Sequence, residues 1–241
     1  MARKAARSRT RRPTPAARPA PTGTPRQHII DSFMALLGEQ PIERIGLAEI
    51  AERAGVTLAE LRGEFSSPLA VFAAHVKELD RAVLAASDPD MAEESPRERL
   101  FDVLIRRLEL LDPHKEAVRS LLRSVRRDPP LALALNAMAV RSQQWMLTAA
   151  GIGASGPRGM VRAQGLALLF ANVLRTWVDD DDDNTRTLAA LDHALARGQR
   201  FAGLLDDLCR IPTAACNLRQ RLREAARGPR RRGRDEDRVA M

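Results

Sequence analysis

The sequence predicts an all-α fold of about nine helices, with a small N-terminal three-helix domain followed by a larger C-terminal helical bundle. Two observations support this prediction. Apolar residues recur at helical spacing along the chain, and no segment alternates with the period of two that a half-buried strand requires. Helix starts are also marked repeatedly by one pairing, a good N-cap residue followed by a proline that suits the first helical position.

Residues 47–65 predict two short helices around a glycine turn. Gly55 follows the first of them, where the backbone must become left-handed and glycine does so without a steric cost. Thr57 and Glu60 have the spacing of a capping box, so the second helix should begin at about Leu58. The apolar edge of the first helix consists of Ile50, Ala51 and Ala54. This layout is that of a helix-turn-helix, which fits a DNA major groove.

Helical spacing and capping pairs place the other helices. The first is amphipathic, ends at Gly38 and has its apolar positions at Ile29, Ile30, Phe33, Leu36 and Leu37. A fourth helix opens at Ser67 and Pro68. The pairs Ser95-Pro96, Asp112-Pro113 and Asp128-Pro129 predict helices at about 96–111, 113–127 and 130–149. Two longer helices are expected at about 158–178 and 185–210.

A set of residues within the helix-turn-helix and just after it has a fixed spacing. The set is Ile50-Ala51, Ala54-Gly55-Val56-Thr57, Leu61, Phe65 and Ser67. With its flanking helices, the segment 26–75 resembles the DNA-binding domain of the TetR family of bacterial transcriptional regulators. The chain departs from the family pattern on the DNA side, with Arg62 in place of tyrosine, Glu64 in place of histidine, Pro68 in place of lysine and Ala59 in place of glycine.

The second helix of the motif supplies the predicted DNA-binding face. We expect the following residues to contact double-stranded DNA, with Arg26 adding a phosphate contact: Arg26, Thr57, Leu58, Ala59 and Arg62. Arg62 can bind a phosphate or read guanine with two hydrogen bonds. Glu60 and Glu64 are unfavourable near an anionic backbone unless they face elsewhere, and Glu60 has a separate role as the capping partner of Thr57.

Positive charge is concentrated at the two ends of the chain. The net charge is +8, with +8 in residues 1–26, +5 in residues 217–241 and −5 between them. The domain prediction is a disordered basic arm at 1–25, the helix-turn-helix domain at 26–75, a ligand-binding and dimerisation domain at 76–211 and a basic tail at 212–241. Three interpretations of the arm stay open: a DNA-contacting arm, a solvated extension and an organellar transit peptide.

Apolar stripes on the middle helices predict a pocket for a small apolar effector. Its lining would be Phe101, Leu104, Met138, Trp145, Met146 and Phe170. A helical bundle can enclose an apolar ligand, and methionine side chains adapt to irregular shapes. The alternative is that these residues form ordinary core.

The last two long helices each carry two apolar stripes, which is more than one neighbouring helix can cover. In TetR-like proteins these helices pair with their symmetry mates, so the resemblance implies a homodimer. The predicted interface residues are Leu166, Val173, Trp177, Leu188, Leu191, Leu195, Ala202 and Leu205. The alternative is that both stripes belong to the core of one subunit.

Other classes of function find little support in the sequence. It has no nucleophile with a histidine partner, no phosphate-cradling glycine loop and no metal-ligand spacing, so we expect neither an enzyme nor a cofactor. The acidic run 179–183 is expected to be an exposed loop that caps the next helix, because five adjacent carboxylates repel each other. Two cysteines and the lack of a long apolar run favour a reduced cytoplasm without stable membrane insertion.

A second functional hypothesis comes from the C-terminal segment. Trp177 followed by acidic residues, then Thr187, Leu191-Asp192, Leu195 and Gly198, is similar to TetR-fold proteins that assist ubiquinone biosynthesis. Those proteins keep the fold but bind lipid. The sequence therefore predicts a ligand-responsive repressor that binds an operator as a homodimer, with a lipid-binding accessory protein as the alternative.

Overall fold

The computed structural model describes residues 23–86, 89–181 and 183–200, and these ranges contain helices and no strands. The helices are α1 (Pro25–Glu39), α2 (Leu47–Ala54), α3 (Leu58–Glu64), α4 (Pro68–Ala85), α5 (Pro96–Leu111), α6 (Lys115–Val125), α7 (Pro129–Ala149) and α8 (Gly156–Trp177). Residues 185–200 are also helical and are called α9. Short 3₁₀ turns lie at Ile42–Arg44, Pro89–Glu93 and Asp112–His114. The all-α prediction is confirmed.

Four helices begin with the capping device that the sequence predicts. The side chains of Thr24, Ser67, Ser95 and Asp128 each accept a hydrogen bond from a backbone N–H in the first turn, and each is followed by proline. Each capping side chain accepts from a backbone N–H that has no partner within the first turn. The proline that follows has no N–H and so needs no acceptor. The predicted starts of α5 and α7 are therefore confirmed to within a residue.

Two predicted helix boundaries, the end of α1 and the start of α6, differ from the structure. α1 is predicted to end at Gly38 but continues to Glu39, because this glycine has an ordinary helical backbone. The predicted helix at 113 begins instead at Lys115. Asp112–His114 form a 3₁₀ turn that joins α5 to α6 without an extended break.

Buried apolar residues form two clusters, and α4 contributes to both. Val71 and Ala74 pack with α1, α2 and α3, while Leu79 and Val83 pack with α5, α7 and α8. α6 lies along α1 and adds Ala117 to the first cluster. A displacement of α4 would therefore change the packing of both clusters. None of the helices in the described ranges is long and apolar enough to cross a lipid bilayer.

Candidate nucleic-acid interface and effector core

α2 and α3 form the predicted helix-turn-helix, joined through a left-handed glycine. Gly55 has a φ of 69°, a conformation that a residue with a Cβ atom adopts only with strain. The N–H of Val56 donates to the carbonyl of Ala51 over 3.0 Å, and the N–H of Gly55 donates to that of Glu52 over 3.2 Å. These two bonds close a Schellman motif, which ends α2 and turns the chain into α3.

The start of α3 is fixed by a reciprocal capping box. The Thr57 hydroxyl oxygen accepts from the backbone N–H of Glu60 over 3.2 Å, and the Glu60 carboxylate accepts from the backbone N–H of Thr57 over 2.7 Å. The backbone N–H of Thr57, followed by its hydroxyl, holds the pKa of Glu60 below its usual value. Glu60 is thus turned back on the start of its own helix, where hydrogen bonds from Thr57 hold its ionised carboxylate.

The exposed face of α3 carries the predicted DNA contacts. Leu58 is 57% exposed and Leu61 is buried, so the helix keeps one side for packing and the other for solvent. Ala59 and Arg62 are exposed next to Leu58, and Thr57 is exposed at the helix start. The structure brings these four predicted residues together on one surface.

Arg26 lies at the edge of that surface, held by two acidic residues. Its guanidinium is 3.2 Å from the carboxylate of Glu64 and 3.9 Å from that of Glu78. It also lies over the ring of Phe65, 4.6 Å from the ring centroid. Arg26 therefore ties the first turn of α1 to α3 and α4, a role that the sequence did not indicate. Its predicted phosphate contact stays a prediction.

The residues predicted to line an effector pocket divide between the core and the surface. Leu104, Met146 and Phe170 belong to the second apolar cluster and are almost fully buried, while Met138 is half-buried. Trp145 is 59% exposed, because its neighbours Ser142, Gln143, Met146 and Leu147 form the buried side of α7. Trp145 is therefore not a lining residue of an interior pocket.

Phe101 faces a different space from Leu104. It is half-buried and lines an open groove of about 450 Å³ with Glu94, Glu98 and Asp102. The groove is on the acidic outer side of α5, whereas Leu104 points into the bundle core. Phe101 packs against the edge of the cluster that contains Leu104, so a pocket lined by both side chains stays a prediction.

A buried polar junction joins α4 to the bundle, and sequence reasoning missed it. Asp80 of α4 is ion-paired with Arg107 of α5 and accepts a hydrogen bond from the Ser142 hydroxyl of α7 over 2.8 Å. All three side chains are buried, and the Arg107 guanidinium lies 5.7 Å from the centroid of the Phe170 ring. The only available sequence signal was a charged residue on an otherwise apolar helix face, at Asp80 and again at Arg107.

Two histidines lie beside this junction, between α4 and the Asp112–His114 turn. The rings of His75 and His114 meet edge to face, with centroids 4.7 Å apart. Burial lowers the pKa of His75 to about 4, and the nearby charges of His114 and Arg107 add to the effect. His75 is therefore neutral at pH 7. Through this contact His114 packs against α4.

Solved structures with the same helix arrangement identify the fold. A TetR transcriptional regulator from Nitrosomonas europaea matches with a TM-score of 0.58 at 20% identity, over 72% of this chain and 97% of that one. One from Rhodococcus matches with a TM-score of 0.51 at 21% identity, over 72% and 95%. One from Streptomyces coelicolor matches with a TM-score of 0.51 at 16% identity, over 84% and 97%. The fold is that of the TetR-family regulators. No protein-family model matches the sequence, and no curated protein matches it.

In this TetR fold, most of the residues predicted for a dimer interface are core residues of one subunit. The buried ones are Leu166, Val173, Trp177, Leu191 and Leu195. A side chain that is already covered within its own chain has no area left for a partner, so the interface prediction is corrected at these five positions. Leu188 is 38% exposed. Ala202 and Leu205 lie outside the described residues.

The TetR fold leaves another face of α8 exposed. Val161 is 55% exposed and Leu168 is 57% exposed, and they lie on one stripe with Gly165, Asn172 and Arg175. The spacing along this stripe alternates between four and three residues, which is the spacing of a helix–helix seam. The sequence did not recognise this stripe: the residues that it proposed for the interface on α8, Leu166, Val173 and Trp177, lie on the buried side of the helix.

The acidic run before α9 has a structural role in the TetR fold. The buried carboxylate of Asp180 accepts from the backbone N–H and the hydroxyl of Thr187, over 2.7 and 2.6 Å, and from Arg186 over 2.8 Å. The Thr187 hydroxyl, followed by Arg186, holds the pKa of Asp180 well below its usual range. Lys115 of α6 donates to the Asp180 carbonyl over 2.9 Å. Asp180 therefore joins the first turn of α9 to the end of α8, while the neighbouring Asp179, Asp181 and Asp183 are exposed.

Proposed function

We propose that this protein is a homodimeric, ligand-responsive transcriptional regulator that binds operator DNA in the cytoplasm and acts as a repressor. The observation that carries the proposal is the exposed face of α3. A capped helix of seven residues presents Thr57, Leu58, Ala59 and Arg62 to solvent beside a Schellman turn. A helix held in this way by its partner helix can enter a major groove without rearranging the domain.

The proposed reading unit is residues 26–75, and residues 76–211 would bind the effector and form the dimer. Two identical subunits would place two α3 helices on one side of the duplex, one helical turn apart. The exposed stripe of α8, at Val161, Gly165 and Leu168, together with Leu188 of α9, is the surface we propose for the partner subunit.

The proposed response to a ligand is a population shift. α4 packs in both apolar clusters and carries Asp80, which is bonded to α5 and α7. A small apolar ligand that binds better to one arrangement of the bundle would move α4 and change the distance between the two α3 helices. Operator affinity would fall by the ratio of the ligand's affinities for the two arrangements.

Selection of genomic DNA fragments by the purified protein at a stated salt concentration tests the proposal. We expect a specific, roughly palindromic sequence, and we expect it again with a protein that lacks the N-terminal arm. DNA binding that does not depend on base sequence, disappears at high salt concentration and requires the N-terminal arm would contradict the proposal. Co-purifying lipid detected by mass spectrometry, together with that result, would support the lipid-binding alternative.

The recognition face is tested by a substitution on the selected duplex. Arg62→Ala should weaken binding by about 1–3 kcal/mol if Arg62 reads a base, and the preference for that base should relax. If Arg62 contacts a phosphate, the loss should be smaller and equal on all sequences. Arg123→Ala, an exposed position on α6, is the matched control and should bind like the wild type. Wild-type affinity of Arg62→Ala would show that α3 does not read DNA through this face.

A further inference from the structure

We propose that the cleft between the end of α3 and the outer side of α4 binds a backbone phosphate of DNA, and that Arg62 and Lys77 hold it. The inference rests on the proposed function and adds to it a DNA contact from the middle of α4. This α3–α4 cleft is defined by Arg62, Gly63 and Glu64 on one wall and by Ala70, Ala73, Ala74 and Lys77 on the other.

The shape of the α3–α4 cleft suits an extended polymer. Its volume is about 520 Å³ and it is open to solvent along its length. The α4 wall is a single helical stripe, because Ala70, Ala73, Ala74 and Lys77 are separated by three, one and three residues. Three of these side chains are methyl groups, so a phosphodiester can approach the helix closely, and Lys77 lies at the end of the stripe.

The charges of the cleft are distributed unequally. Arg26 also lines the cleft, but its guanidinium is already held by Glu64 and Glu78. Arg62 and Lys77 are both exposed, and neither makes a hydrogen bond or an ion pair with another residue in the part of the chain that the structure describes. Two exposed cations without acidic partners, on opposite walls of one cleft, are a suitable arrangement for a single phosphate anion.

The position of the cleft favours DNA over a free anion. Arg62 belongs both to the exposed face of α3 and to the cleft wall, so the cleft is continuous with the proposed recognition face. The segment 1–26 carries eight cationic side chains and no acidic one, and its last residue, Arg26, lines the cleft. A DNA strand that lies against α3 can therefore continue over the cleft, where one of its phosphates would neutralise the charges of Arg62 and Lys77.

The test measures the salt dependence of DNA binding by full-length variants, using fluorescence anisotropy. Wild type, Lys77→Ala, Lys77→Arg and Arg81→Ala are titrated with the selected operator duplex and with a scrambled duplex of the same length. Because one phosphate contact releases about one counterion, Lys77→Ala should lower the slope of log K against log salt concentration by about one per bound subunit, and so by about two for a dimer, on both duplexes. Lys77→Arg keeps the charge and should keep the slope.

Arg81→Ala is the matched control, since Arg81 is an exposed cation one turn further along α4 and does not line the cleft. Its slope should equal that of the wild type. A Lys77→Ala slope equal to the Arg81→Ala slope on both duplexes would overturn the cleft while leaving the regulator intact. A wild-type protein that binds both duplexes equally would overturn the proposed function, and the scrambled duplex would still report whether Lys77 contacts a phosphate.

Discussion

The carboxylate of Asp80 on α4 is ion-paired with the guanidinium of Arg107 on α5, and both side chains are buried. A buried pair of this kind contributes little net stability, because each ion loses its hydration, but breaking it leaves one charge uncompensated. The pair therefore specifies how α4 sits on the bundle more than it strengthens the fold. Since α4 is shared by both apolar clusters, this pair is a point at which the bundle and the helix-turn-helix are mechanically connected.

Asp80→Asn should strongly destabilise the protein. The substitution keeps the size of the side chain but leaves Arg107 buried without its counter-charge, so we expect a loss of about 3–5 kcal/mol in the free energy of unfolding. Chemical denaturation followed by circular dichroism measures it. Asp102→Asn is the control, because Asp102 forms a partly exposed pair with Arg106 one turn away and should cost less than about 1 kcal/mol. Equal losses for the two variants would contradict this assignment.

Stability should fall as the pH is lowered through the range in which His75 binds a proton. The pKa of His75 is about 4 in the folded protein and about 6.5 in the unfolded chain, so the unfolded state binds more protons between these values. The contribution of neutral His75 is present above pH 6.5 and is lost progressively towards pH 4, by up to about 3 kcal/mol. Denaturation midpoints at several pH values measure it.

The variant His75→Phe separates the effect of this histidine on stability from that of other groups that titrate in the same pH range. His75→Phe should flatten the loss of stability between pH 6.5 and pH 4, because its ring fills the site without accepting a proton. His193→Phe changes an exposed histidine on α9 and should leave the pH profile unchanged. If His75→Phe and the wild type lose stability in parallel, His75 does not control this pH range.

Two glycine substitutions in the helix-turn-helix should have opposite effects on stability. Gly55→Ala forces a Cβ atom onto a backbone with φ of 69°, and we expect it to destabilise the protein by about 1 kcal/mol. Gly63 is within α3 with an ordinary helical φ, and a Cβ added there meets no atom within 4 Å. Gly63→Ala should therefore be neutral or stabilising by up to about 1 kcal/mol. Thermal unfolding of both variants checks the sign.

The dimer surface can be tested by charge insertion on α8. Leu168→Asp places a carboxylate on the exposed stripe proposed for the partner, and desolvating it at an interface would be unfavourable. We expect the molar mass measured by light scattering to fall from that of a dimer to that of a monomer. Leu133→Asp is the control on α7, where Leu133 is 73% exposed and outside the proposed surface. A dimer that persists in Leu168→Asp but dissociates in Leu133→Asp would move the interface to α7.

The sequence by itself determined the local structure. Proline after an N-cap residue fixed the starts of α5 and α7, and Gly55 with the Thr57–Glu60 capping box fixed the turn and the start of α3. These features depend on residues within four positions of each other, so their hydrogen bonds are readable from spacing alone. The same locality made the exposed α3 face predictable, because Leu61 alone had to face inward.

Only the tertiary structure decided which face of a helix is buried, and which partner each charged residue has. Leu166 and Leu168 are both leucines on α8, yet Leu166 is 5% exposed and Leu168 is 57% exposed. Trp145 likewise faces outward although its residue type favours the core. The partner of Asp80 is 27 residues away and that of Arg26 is 38 residues away along the chain. Helix periodicity fixes the angle between stripes but not their direction in space, and that direction is set by the neighbouring helices.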